Sequence, residues 1–162
     1  MSLIGQLNKL GKAVNEKYPT INYGGCCVYA AIVAEALLLR NIKVRGIVSS
    51  YDAEDFNDHN TIDNIRPYIK HHVLWRWQDN GISFSHVGLE FEINGKLRHY
   101  DSKGVKMASD FFDYMPIYKG RLQAYELVKL ASRAQGWNSS FNRRHIPKIR
   151  KMVQEYLAVD NV

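Results

Sequence analysis

The 162-residue chain is 46% apolar and 23% charged, and its 22 Lys and Arg against 16 Asp and Glu give a formal net charge of +6. That length suits one domain spanning residues 1–162 with a sizeable core, and the charge balance is only mildly basic. These figures exclude a disordered tail, a collagen-like repeat, a disulfide scaffold and, in the absence of internal repetition, a solenoid.

Elements read in chain order as follows. Leu3, Leu7, Leu10 and Val14 recur at helical spacing, which predicts an amphipathic helix from Ser2 to about Tyr18, capped by Ser2 and closed by Pro19. After Gly24-Gly25, the segment CCVYAAIVAEALLLR is apolar on nearly every side and must be enclosed by the rest of the domain, ending at Asn41. IKVRGIVSS alternates as a strand; Tyr51 to Asn64 reads as an exposed acidic excursion; HHVLWRW leans towards strand. SHVGLEFEI and KLRHYDS flank Asn94-Gly95, the residues of a two-residue type I′ hairpin turn. MASDFFDYM and RLQAYELVKLASRA read as helices, followed by a basic helix from about His145 to Leu157 that starts near Pro147. Helices, then strands, then helices, without βαβ alternation, predict an α+β fold: an antiparallel sheet packed on the enclosed N-terminal helix.

The two cysteines, Cys26 and Cys27, are adjacent. Neighbouring residues bridge only in a strained ring, so free thiols are expected, as in the reducing cytoplasm. The first residues lack a continuous apolar stretch, and the run from Cys26 to Leu39 is too short to span a bilayer, so neither a leader nor a membrane association is expected.

Cys26 follows two glycines and opens the enclosed helix. Unpaired N–H groups and positive partial charge at a helix N-terminus favour thiolate over thiol and can steady an oxyanion. At 100° per residue Cys26 points away from Glu35, taken as the wettest position, and hence towards the sheet; Cys27 falls nearer the Glu35 flank. In the hairpin, Ile93 faces Lys96, so His99 falls opposite Glu90 and Asp101 opposite Gly88. One face then carries His86, Gly88, Glu90, His99 and Asp101; the other carries Val87, Leu89, Phe91, Ile93 and Tyr100. His86 lies one diagonal from Asp101, with Gly88 leaving room for the ring to lean across. The combination suits a base beside Cys26 with a carboxylate orienting it. The plainer alternatives are two small core cysteines and a sheet with one wet polar face.

These residues carry a resemblance. GGCCVYAAIVAEALL followed by SHVGLEFEINGKLRHYDSKGV resembles the papain-like/transglutaminase-like superfamily of cysteine hydrolases, especially small phage and bacterial members, over roughly Tyr23 to Val105. The resemblance implies a catalytic Cys26, His86 and Asp101, a peptide or other amide-containing substrate, and no cofactor or metal. The hairpin is also similar to the NlpC/P60 cell-wall peptidases, which would give the third role to His99; Gly25, where that group generally has Asp, departs from its pattern. No glutamine stands at the usual oxyanion-donor position, which leaves Asn22 or Tyr23 as substitutes.

Other signals are weaker. His71-His72 with His86 and His99 match no zinc spacing, and Asp52 to Asp63 lacks the glycine and closing glutamate of a calcium loop. The tail gathers Arg143, Arg144, Lys148, Arg150 and Lys151, which supports an alternative reading as a non-catalytic module holding nucleic acid or an acidic protein. Ile146, Ile149, Val153 and Leu157 give the same helix a core side, and Trp137 and Phe141 either roof a cleft or fasten the tail.

Overall fold

Among the described residues, five antiparallel strands form a sheet that supports the helices, in the spatial order Gly104–Met107, Lys96–Asp101, His86–Ile93, Val44–Ser50 and Tyr118–Gln123. The computed structural model describes residues 1–21, 25–50, 86–107, 118–131 and 139–159. The strands are β1 (Val44–Ser50), β2 (His86–Ile93), β3 (Lys96–Asp101), β4 (Gly104–Met107) and β5 (Tyr118–Gln123). The helices are α1 (Leu3–Lys17), α2 (Cys26–Leu39), α3 (Ala124–Ala131) and α4 (Ser139–Leu157). The architecture is α+β, as the element order predicts. No helix among the described residues is long and apolar enough to cross a membrane.

Helix α1 begins where Ser2 Oγ accepts the Gly5 N–H at 3.2 Å, and buries Leu7, Leu10 and Val14 on one side. Helix α2 is buried continuously from Cys26 to Ala34, which explains its lack of a polar face. Its end is a Schellman motif: Asn41 takes a left-handed φ of 57°, its N–H bonds Leu38 O at 2.9 Å, and the Ile42 N–H bonds Leu37 O at 3.0 Å. Ile42 then packs on the core, and the chain enters β1.

The apolar face of the sheet (Val44, Val87, Leu89, Phe91, Tyr100 and Leu122) joins one core with α1, α2 and α4. Each large side chain buried there contributes about 1.5–3 kcal/mol. A chain of hydroxyls stitches three elements together: Tyr29 of α2 bonds Tyr100 of β3, and the Tyr100 hydroxyl donates to Leu7 O of α1 at 3.2 Å.

The β2–β3 hairpin has the expected register, Ile93↔Lys96 and Glu90↔His99. Asn94 and Gly95 have φ of 52° and 71°, the two positive values that a type I′ turn needs. The β3–β4 turn is clamped by α1. Asn15 Nδ2 donates to Ser102 O at 2.6 Å, and Asn8 Oδ1 accepts the Val105 N–H at 2.7 Å.

Several sequence expectations need correcting. Met107 closes strand β4 and does not open a helix, because Gly104–Met107 pairs along β3. Arg121, Leu122 and Gln123 are strand, paired with Ile47, Gly46 and Arg45, and the helix starts only at Ala124. There Glu126 Oε2 accepts the Gln123 N–H at 2.7 Å, half of a capping box. Pairing along β1 overrides the helical propensity of RLQ. The basic helix starts at Ser139, not near His145, and carries Pro147 inside it. An interior proline costs about 3 kcal/mol in an isolated helix. Here the His145 ring packs edge-on against Tyr18, centroids 5.1 Å apart, and Ile149, Val153 and Leu157 are buried, contacts that hold the helix through the proline.

The excursion from Tyr51 to Asn64, the HHVLWRW segment with His71-His72, Asn22, Tyr23 and Trp137, residues 108–115 and the side chain of Phe141 all lie outside the described residues.

Candidate active site

Three elements bring the predicted site residues to one place. Cys26 is the first residue of α2, His86 the first of β2 and Asp101 the last of β3. The ladder between β2 and β3 runs to Leu89↔Tyr100, so His86 and Asp101 both lie just beyond its end. His86 Nε2 lies 3.0 Å from Asp101 Oδ2, with both side chains almost completely buried.

Asp101 is itself firmly held. Its Oδ1 accepts the Lys103 N–H at 2.8 Å, an Asx turn, and Oδ2 also accepts from Lys106 Nζ at 2.9 Å. Burial by itself would raise the Asp101 pKa, but the hydrogen bond from His86 and the charge of Lys106 outweigh it and hold the carboxyl below its ordinary value. The carboxylate therefore stays ionised.

For His86, burial pushes towards the neutral ring. The hydrogen bonds with Asp101 and with Cys26, and the negative charges of both, overcome that and push its pKa up to about 9. Asp101 engages Nε2, and Cys26 is the ring's other hydrogen-bond partner. An imidazole held between a carboxylate and a thiol can take a proton from the sulfur and return it to a leaving group.

Both cysteines are free. They differ in setting: burial pushes the Cys27 thiol well up, and negative charge on Cys26 pushes it further. Cys27 is therefore held as an inert thiol, while Cys26 has the histidine. Gly25 caps α2 without contributing a side chain, and the first helical hydrogen bond runs from the Tyr29 N–H to Gly25 O at 3.0 Å. The amides of Cys26, Cys27 and Val28 precede that ladder and carry the positive end of the helix dipole.

Comparisons of the chain with models of protein families, with curated proteins and with solved structures find no match.

His99, the other candidate for the third position, is engaged elsewhere. Its Nε2 lies 2.9 Å from Glu90 Oε2, and Glu90 Oε1 accepts from Arg45 Nη2 at 2.6 Å. Glu90 and His99 are 1% and 2% exposed, so the polar face is dry where the site residues lie, while Arg45, Glu92 and Gln123 on the same face are exposed. Among the described residues, no group of three or more His, Cys, Asp or Glu side chains is placed to hold a metal ion.

Glu35 is the first position along α2 that is not buried, in keeping with its expected outward direction, and Arg150 Nη1 of α4 bonds its Oε2 at 2.7 Å. That pair ties one of the five tail cations to the core helix, while Arg144, Lys148 and Lys151 are exposed.

Lys106 escaped the sequence reading. The signal was present, since a strand over Gly104–Met107 places Lys106 opposite His99 and on the face of Asp101, but a helix beginning at Met107 obscured it.

Proposed function

We propose that the chain is a papain-like/transglutaminase-like thiol hydrolase or acyl-transferase acting on an amide bond, as a peptidase, amidase or deamidase. The observation that carries this reading is the buried His86–Asp101 contact of 3.0 Å with Cys26 as the other partner of the same ring. A structural cysteine needs neither a histidine nor a carboxylate behind it.

In this reading, Cys26 passes its proton to His86 and the thiolate attacks the carbonyl carbon, forming a C–S bond and an oxyanion. The amides opening α2 stabilise the oxyanion. Collapse breaks the C–N bond, and the His86 imidazolium delivers its proton to the departing amine, leaving a thioester. Water, deprotonated by His86, then attacks the thioester, the C–S bond breaks and the thiolate returns; an amine in place of water gives acyl transfer. Asp101 holds the ring in place throughout.

Alkylation by iodoacetamide tests the assignment, with mass spectrometry reading the modified residue and a panel of amide substrates reading turnover. Cys26→Ala abolishes both rapid labelling and turnover, and Cys27→Ala leaves both largely intact. Rapid labelling of Cys27 in the intact chain would overturn the choice of nucleophile.

A further inference from the structure

We propose that Lys106 is a positioning residue of this site, its ammonium sharing Asp101 Oδ2 with the His86 ring and thereby setting how strongly the carboxylate holds the imidazolium proton. The inference rests on the reading of Cys26, His86 and Asp101 as the reacting set.

The geometry comes from strand register. Gly104 pairs with Asp101 and Lys106 with His99, so Lys106 stands two residues along β4 on the face to which Asp101 belongs. Its Nζ reaches Oδ2 at 2.9 Å, against 3.0 Å for His86 Nε2, while Oδ1 is taken by the Lys103 N–H. One carboxylate oxygen therefore serves two cationic donors at nearly equal distance. The Lys106 side chain is 21% exposed and that of Asp101 1%, so water screens this pair less than a surface pair.

The consequence follows from charge. A carboxylate facing the imidazole alone would stabilise the imidazolium with its full negative charge and make it a reluctant general acid. A second cation on the same oxygen divides that charge and repels the imidazolium directly. Lys106 thus keeps the ring able to give its proton to a leaving amine. The other groups facing this cluster act differently. From α2, Cys26 favours the imidazolium, and buried Tyr29 and, from β3, Tyr100 are neutral, their pKa values raised chiefly by burial. His99, opposite Lys106, is bonded to Glu90, which in turn bonds Arg45.

The test compares Lys106→Met, which removes the charge and keeps the stem, with Lys106→Arg, which keeps the charge, both in a Cys27→Ala background. NMR follows titration of the His86 ring, and iodoacetamide reads Cys26 reactivity against pH. The methionine variant should move the His86 titration and the alkaline limb of Cys26 alkylation upward together by ~0.5–1 pH unit, and the arginine variant should stay with the parent. Lys106→Gln carries the same expectation should the methionine variant not fold. An unchanged or downward-shifted His86 titration in the charge-free variant overturns the proposal. Failure of the underlying hydrolase reading looks different: Cys26 of the parent then alkylates no faster than a free thiol, while the ring titration still reports whether Lys106 acts on Asp101 and His86.

Discussion

His86 and Asp101 stand 15 residues apart in the chain and 3.0 Å apart in space, joined just beyond the end of the β2–β3 ladder. The pair is buried, the carboxylate is ionised, and the ring reaches back to the first residue of the central helix. A histidine on a sheet needs none of this for packing alone. The cost of desolvating an ion pair is offset here by three donors on Asp101 and by the thiol on the ring.

Replacing Asp101 with asparagine keeps the shape and removes the charge. The ring loses its partner for the protonated form, so the His86 pKa falls from about 9 and the preferred tautomer changes. Turnover should drop by about a hundredfold or more. Cys26 alkylation near neutral pH should slow in parallel, and a variant that alkylates at the parent rate would remove Asp101 from the site.

Stability should depend on pH with a definite sign. His86 titrates near its ordinary value of 6.5 in the unfolded chain and at about 9 in the folded one, so the folded state holds the extra proton between them. The stabilisation is complete below about 6.5 and is lost as pH rises through about 9. Asp101, lowered in the folded state, contributes above its unfolded value and loses its contribution as pH falls through the folded one. Urea midpoints measured from pH 4 to pH 10 should therefore decline on the alkaline side, and Asp101→Asn should flatten that decline.

Gly11 gives a test of the clamp between α1 and the turn carrying Asp101. A Cβ built there meets Ser102 O at 2.7 Å. Alanine would normally strengthen a helix by up to about 1 kcal/mol, but the contact is with backbone that cannot rotate away. Gly11→Ala should cost about 1–3 kcal/mol on balance. Because Lys103 of the same turn holds Asp101, Cys26 reactivity should fall with it; a stabilised, fully reactive variant would contradict the packing described.

Glu90 should matter for stability and not for the reacting groups. Removing it with Glu90→Ala takes the carboxylate away from the buried His99 ring, a loss of about 1–3 kcal/mol, while the half-exposed Arg45 guanidinium turns to water at little cost. His99→Gln should be milder and should leave the pH profile of Cys26 alkylation where it was, since the His99 Nε2 bonds Glu90. A profile displaced by His99→Gln would return His99 to the third position.

Local pattern alone carried much of this protein. Helical spacing of Leu7, Leu10 and Val14, the apolar run after Gly25, and Asn94-Gly95 between alternating segments dictate α1, α2 and the hairpin, because each depends on residues a few positions apart. Period two also puts His86, Glu90, His99 and Asp101 on one face whatever surrounds them. Only the tertiary structure decided that these four side chains are buried, that His99 goes to Glu90 and Asp101 to His86, and that Lys106 joins them from β4. The meeting of Cys26 with a ring sixty positions later belongs to the same class. Strand pairing and helix docking bring such groups together through burial summed over the whole domain, and no short window of sequence records that sum.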